Sequence, residues 1–110
     1  MGADSFIVYY GIRWEVSDEA EIESLELKND SRIKQAKRHK LNSWWGVTTD
    51  QEKCFLLVGT ELGYFGWEGE SNRSISDIEV QAVVKETMGK LKDAGFKENP
   101  SFHFQFEPDY

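Results

Sequence analysis

Phe6-Ile7-Val8-Tyr9-Tyr10-Gly11-Ile12-Arg13-Trp14-Glu15-Val16 is the stretch that decides the fold. Every second residue is apolar: Phe6, Val8, Tyr10, Ile12, Trp14 and Val16. Successive strand side chains point to opposite faces, so this spacing predicts a long strand with one buried face. The intervening Ile7, Tyr9, Gly11, Arg13 and Glu15 turn polar toward the end and predict a second, partly wet face. The far end of the chain repeats the pattern. Phe102, Phe104 and Phe106 alternate with His103, Gln105 and Glu107, between Asn99-Pro100 and Pro108. This predicts a C-terminal strand in the same sheet as the first, with its three phenylalanines packed under helices.

Between these ends the signals change period. Ser17-Asp18-Glu19 offers a helix start, because a hydroxyl or carboxylate accepts from free amides and acids suit the positive helix end. Ile22 to Lys28 reads equally as helix or as strand. Asn29-Asp30-Ser31 is a better cap, and Ser31 to Leu41 reads as a helix with a narrow apolar stripe of Ile33, Ala36 and Leu41. Trp44 to Thr49 and Lys53 to Leu62 read as two strands of a hairpin around Thr49-Asp50-Gln51-Glu52. The run Cys54-Phe55-Leu56-Leu57-Val58 marks the second as central in its sheet. Gly59 to Asn72 reads as a loop, or as a bulged extension of the hairpin. Ser76-Asp77-Ile78-Glu79 is a capping box. Val80, Val84, Met88 and Leu91 follow at helical spacing, and Gly95 supplies the stop. Gly89, inside that helix, suggests close packing on the sheet.

The order strand, helix, strand, strand, helix, strand is that of a ferredoxin-like βαββαβ domain. The expectation is a single α+β domain over residues 1–110, one mainly antiparallel sheet with its helices on one face. A strand at Ile22 to Lys28 would break that topology.

Composition narrows function without naming it. A net charge of −7 repels phosphate backbones, so DNA is excluded as a partner and RNA is disfavoured. The RNA-recognition signature is also missing, since Lys53-Cys54-Phe55-Leu56-Leu57-Val58 has a single ring and no glycine. The one cysteine, Cys54, lies in an apolar run and reads as a reduced core thiol. The N-terminus lacks a basic segment before an apolar one, and no apolar run reaches membrane-spanning length. A cytoplasmic protein with no membrane partner is expected.

Two surfaces attract attention. Rings crowd beside glycines in Trp44-Trp45-Gly46 and Gly63-Tyr64-Phe65-Gly66-Trp67-Glu68-Gly69. Trp44, Trp45, Tyr64, Phe65 and Trp67 are therefore candidate anchors for a protein partner or a homodimer, because such rings dominate interface energetics. The plainer reading puts at least two of them in the core. The second surface is the helix-free sheet face. Tyr9, Arg13, His103 and Gln105 would meet there, with Arg13 as an anion fork and His103 as a proton carrier for a small anionic ligand. The plainer reading is a solvated face with charge pairs such as Arg13 with Glu107.

The basic segment Arg32, Lys34, Lys37, Arg38, His39 and Lys40 reads as a solvated helix face that pairs with the acids of Asp18 to Glu26. His39 and His103 have no metal-ligand spacing, no phosphate loop or hydrolase elbow occurs, and no motif calls for a cofactor. The sequence thus favours a non-catalytic interaction module using the aromatic and glycine-rich loop. A small-ligand binder or enzyme on the open sheet face is the alternative.

Overall fold

The computed structural model of the chain describes residues 5–47, 54–66 and 69–107. The elements are β1 (Ser5–Val16), α1 (Glu19–Glu26), α2 (Ser31–Arg38), β2 (Asn42–Val47), β3 (Cys54–Gly66), α3 (Asp77–Asp93) and β4 (Ser101–Glu107). They form a small α+β domain with one four-stranded sheet in the order β2-β3-β1-β4. All three pairings are antiparallel.

Both chain ends meet as the alternation predicts. Ser5 through Gly11 pairs with Glu107 through Ser101, setting Tyr10 opposite Phe102, Val8 opposite Phe104 and Phe6 opposite Phe106. β3 runs past Leu62 to Gly66 and bulges between the partners of Val8 and Tyr9, so the bulged extension is the reading that holds. The segment Ile22 to Lys28 is helical as far as Glu26, capped by Asp18 through the amide of Ala20.

The second short helix stops at Arg38, before the expected Leu41. Lys40 takes φ 60, and the Leu41 amide turns back to the Ala36 carbonyl at 2.8 Å. That left-handed turn feeds Leu41 into the core and starts β2. The predicted capping box of Ser76 and Glu79 opens α3. Gly95, at φ 88, closes it, and the Phe96 amide reaches the Leu91 carbonyl at 3.0 Å. Gly89 differs from expectation: a Cβ there would meet nothing within 4 Å, so the glycine does not mark close packing. The expected turn at Thr49 to Glu52 lies outside the described residues.

The main core joins the even-numbered side of β1 to the helices. Ile12 and Val16 pack with Leu25, Ala36, Leu41, Cys54, Leu56, Val58 and Leu91. α3 lies on β1 and β3, and α2 on β2 and β3. Thr60 on β3 and buried Thr87 on α3 share a hydroxyl hydrogen bond of 2.5 Å, which fixes where the long helix crosses the sheet.

A polar clamp ties the short helices to this layer. Asp30, buried, caps α2 through the Arg32 amide at 2.8 Å. Its two oxygens also take the Arg32 guanidinium at 3.0 and 2.8 Å. Arg32 reaches on to Glu21 at 2.9 Å and lies over the Trp14 ring at 5.1 Å. Pairing of the basic helix with the preceding acids is therefore realised at Arg32.

The predicted burial of the late phenylalanines is wrong. Phe102, Phe104 and Phe106 are 42%, 63% and 44% exposed, and Phe6 is 38% exposed. They do lie on the helix side of the sheet, but the helices lie over β1, β2 and β3. On the opposite side the outcome is reversed. Ile7, Tyr9 and Leu57 are buried in a second cluster, flanked by Trp44 and Tyr64. Gln105 is buried as well. The face expected to be wet is the dry one at this end.

Curvature accounts for both reversals. Arg13 Nη1 donates to Gln105 Oε1 at 3.5 Å, although Gln105 pairs with Ile7, six residues up the strand. Six residues span about 20 Å on a flat strand, more than the two side chains can bridge. The sheet must curl toward this face. Gly11 and Gly59 oppose each other inside the curl, and a Cβ on either would overlap the facing backbone. The concave side closes on itself and the convex side opens.

Candidate functional site

The predicted anchors divide between the two faces. Trp44 and Tyr64 belong to the concave cluster, while Trp45 packs against the main core. Phe65 is half-buried opposite Phe6, and Trp67 lies outside the described residues. The glycines beside these rings have a local purpose. A Cβ at Gly46 would strike the Trp44 ring, one at Gly63 the Phe65 ring, and one at Gly69 the Tyr64 ring and carbonyl. Each ring rests on a neighbouring glycine. The Tyr64 hydroxyl is also held by Ser5 Oγ at 2.8 Å. A concavity of about 400 Å³ opens beside this strand end, lined by Glu61, Leu62, Gly63, Tyr64, Gly69, Glu70 and Arg73. Arg73, its one cation, is engaged by Glu70 at 2.9 Å and by the Leu62 carbonyl at 2.8 Å.

The alternative ligand residues do converge. Tyr9 and His103 are direct cross-strand partners, and Arg13 reaches Gln105. Tyr9 and Gln105 are buried, His103 is half-buried, and Arg13 is exposed. Tyr9 is buried, and burial pushes its phenol well above the ordinary value, with Glu61 adding to the shift. Arg13 also stacks over Phe55 at 4.6 Å. His103 Nε2 donates to the Gly11 carbonyl at 3.0 Å, which leaves Nδ1 as acceptor. Burial lowers the imidazole pKa; the Gly11 bond opposes that shift and the Arg13 charge adds to it. A neutral, internally bonded histidine results. The expected pairing of Arg13 with Glu107 does not fit the register, because Glu107 pairs with Ser5 at the other end of β1.

The exposed site is one the alternation disguised. Phe6, Phe102, Phe104 and Phe106 lie on the same side of the sheet, the convex one. Phe6 and Phe104 lie 6.3 Å apart between ring centroids, and Tyr10 and Phe102 lie 4.8 Å apart. With about 200 Å² for a whole phenylalanine, the four rings offer roughly 370 Å² to water. A patch of about that size is the largest on a typical monomer and is often functional. The sequence carried no separate signal for it: the apolar spacing of α3 runs from Val80 to Leu91, but in the structure α3 buries only Thr87 and Leu91, both in its second half.

Among the described residues no group of three or more His, Cys, Asp or Glu is placed to hold a metal. No helix among them is long and apolar enough to cross a membrane. No known protein family, curated protein or solved structure matches the chain.

Proposed function

We propose that the chain is a non-catalytic interaction module, and that its contact surface is the convex phenylalanine face of β1 and β4. One observation carries this reading: four rings are 38–63% exposed on strands whose other side buries Ile7, Tyr9 and Gln105. Aromatic anchors of this kind gain most when a partner removes them from water. This surface is favoured over the aromatic and glycine-rich loop, because Trp44, Tyr64 and Phe65 rest on Gly46, Gly69 and Gly63.

We also infer a ferredoxin-like split βαβ arrangement in which the first crossover carries two short helices. The element order and the sheet order β2-β3-β1-β4 support it. A cytoplasmic setting fits the single buried thiol, Cys54. The small-anion reading has weaker support. Arg13, His103 and Gln105 converge, but Tyr9 and Gln105 are closed to an incoming ligand and His103 is bonded to Gly11.

A photo-reactive phenylalanine analogue at position 104 tests the proposal. Irradiation is expected to capture polypeptide there, and to capture none from the same analogue at exposed Lys34 on α2. In parallel, Phe104→Ser should cost about 2 kcal/mol, because only about a third of the ring's area is removed from water. A loss of about 3–5 kcal/mol, the range for a core phenylalanine, or equal capture at both positions, refutes the reading.

A further inference from the structure

Resting on that reading, we infer that the partner is a second copy of this chain. It docks β4 against β4 in antiparallel fashion about a two-fold axis through Phe104, extending the sheet to eight strands.

The main chain of β4 calls for a neighbour. β4 ends the sheet, so one of its edges has no strand partner among the described residues. Natural edge strands are usually guarded by lysine, proline, a bulge or very short length. β4 contains no lysine, arginine or proline, its one carboxylate is the terminal Glu107, and its pairing with β1 shows no register shift. An unguarded edge beside an exposed ring patch is a template for another strand.

The sequence of that strand specifies its own copy. Ser101-Phe102-His103-Phe104-Gln105-Phe106-Glu107 is nearly symmetric about Phe104. Antiparallel self-pairing centred there sets Phe104 opposite Phe104 and Phe102 opposite Phe106, all on the convex face. It sets His103 opposite Gln105 on the concave face and Glu107 opposite Ser101. No like charges meet, and aromatic pairs directly opposite are the favourable kind.

Proline fixes the register. Pro100 and Pro108 lie equally far from Phe104 in the sequence, and neither has an amide hydrogen to give. The axis through Phe104 pairs all seven strand residues and keeps both prolines out of the ladder. A shift of the axis to His103 or Gln105 brings a proline in.

The rings meet along their flanks. Of the roughly 750 Å² that the rings of two copies expose, edge pairing covers the sides turned to the axis. The seven-residue backbone ladder adds to that.

Sedimentation velocity on the full chain, over a concentration series, tests the inference. The natural chain is expected at twice its monomer mass. Phe104→Lys and Phe104→Glu each set like charges face to face on the axis, and each is expected to run as a monomer. An equimolar mixture of the two sets opposite charges there, and is expected to regain the dimer. Ile78→Lys, on the exposed side of α3, should leave the dimer intact.

Mild oxidation gives a second readout that does not need charged variants to fold. Phe104→Cys should form an intermolecular disulfide, because directly opposite residues come within bridging distance. Phe102→Cys should not, since its opposite residue is Phe106. A monomeric natural chain at every concentration overturns the inference, while photo-capture of a different polypeptide at position 104 would keep the interaction-module reading alive. A dimer that survives both charged variants, a mixture that stays monomeric, or a disulfide at 102 in place of 104 also overturns it.

Discussion

Removing the Asp30 carboxylate tests how the helical layer is held to the sheet. Asp30→Ala deletes the bond that caps α2, at 2.8 Å from the Arg32 amide. It also deletes the two bonds to the guanidinium, at 3.0 and 2.8 Å. Loss of a cap costs about 1 kcal/mol, and loss of a hydrogen bond to a charged group about 1.5–3 kcal/mol. Arg32 keeps Glu21 at 2.9 Å and the Trp14 face, so its charge is not stranded. The expected total is roughly 2–4 kcal/mol. Asp30→Asn keeps a cap acceptor and should cost about half as much.

Urea unfolding at neutral pH reads this as a lower midpoint at unchanged slope. The pH dependence gives an independent check. The hydrogen bonds from Arg32 hold the Asp30 carboxyl below its ordinary value of 3.8, against an opposing push from burial. On acidification the unfolded chain takes up this proton before the folded one does. The stabilisation is therefore complete above the ordinary value and disappears as pH falls through the folded value. The gap between the natural chain and Asp30→Asn should narrow over that acid range. A loss under about 1 kcal/mol at neutral pH, or a gap that does not change with pH, refutes the assigned role.

Three further outcomes follow from the same geometry. Gly11→Ala should cost roughly 3 kcal/mol or more because its Cβ overlaps the β3 backbone, whereas Gly89→Ala, in open space within α3, should gain about 1 kcal/mol in urea unfolding. His103 is held below its ordinary value of 6.5, chiefly by burial, so its neutral form stabilises the fold above that pH and the contribution is lost as pH falls below it; His103→Gln should flatten the melting-temperature profile in that window. Each copy carries a net charge of −7, so the proposed dimer forms against repulsion and should tighten as salt is raised, read by sedimentation; weakening would instead indicate charge-driven pairing.

Much of the architecture was legible because it rests on short-range rules. Period two in β1 and β4, the acids and hydroxyls at Asp18, Asp30 and Ser76, and the glycine at 95 each state a backbone preference that the fold keeps. The end of α2 was not legible, because Lys40 adopts a left-handed conformation for the sake of Leu41, a choice made by packing rather than propensity. The site was harder still. Alternation reports that β4 has an apolar side, but not whether a helix arrives to cover it. The aromatic–glycine pairs have a packing role that their sequence does not report. In sequence they resemble a presented surface, and in space the rings of Trp44, Tyr64 and Phe65 spend their area on adjacent glycines.

Curvature is what links burial on one side of the sheet to exposure on the other. A sheet that curls brings its concave side chains together, and Ile7, Tyr9, Leu57 and Gln105 satisfy one another there without a helical layer. The same curl turns the convex side chains outward, and a straight helix can follow such a surface over only part of its length. α3 meets the sheet at Thr87 and Leu91, opposite Thr60 and the Ile12 cluster. Beyond that contact the convex face runs on through Phe6 and β4, whose rings stay 38–63% exposed. Within one chain these rings keep 38–63% of their area in water and so gain only part of their burial energy. Phenylalanine at all four favours a surface that a partner covers, and in the proposed dimer an antiparallel copy of β4 would close the sheet edge and cover the flanks of those rings.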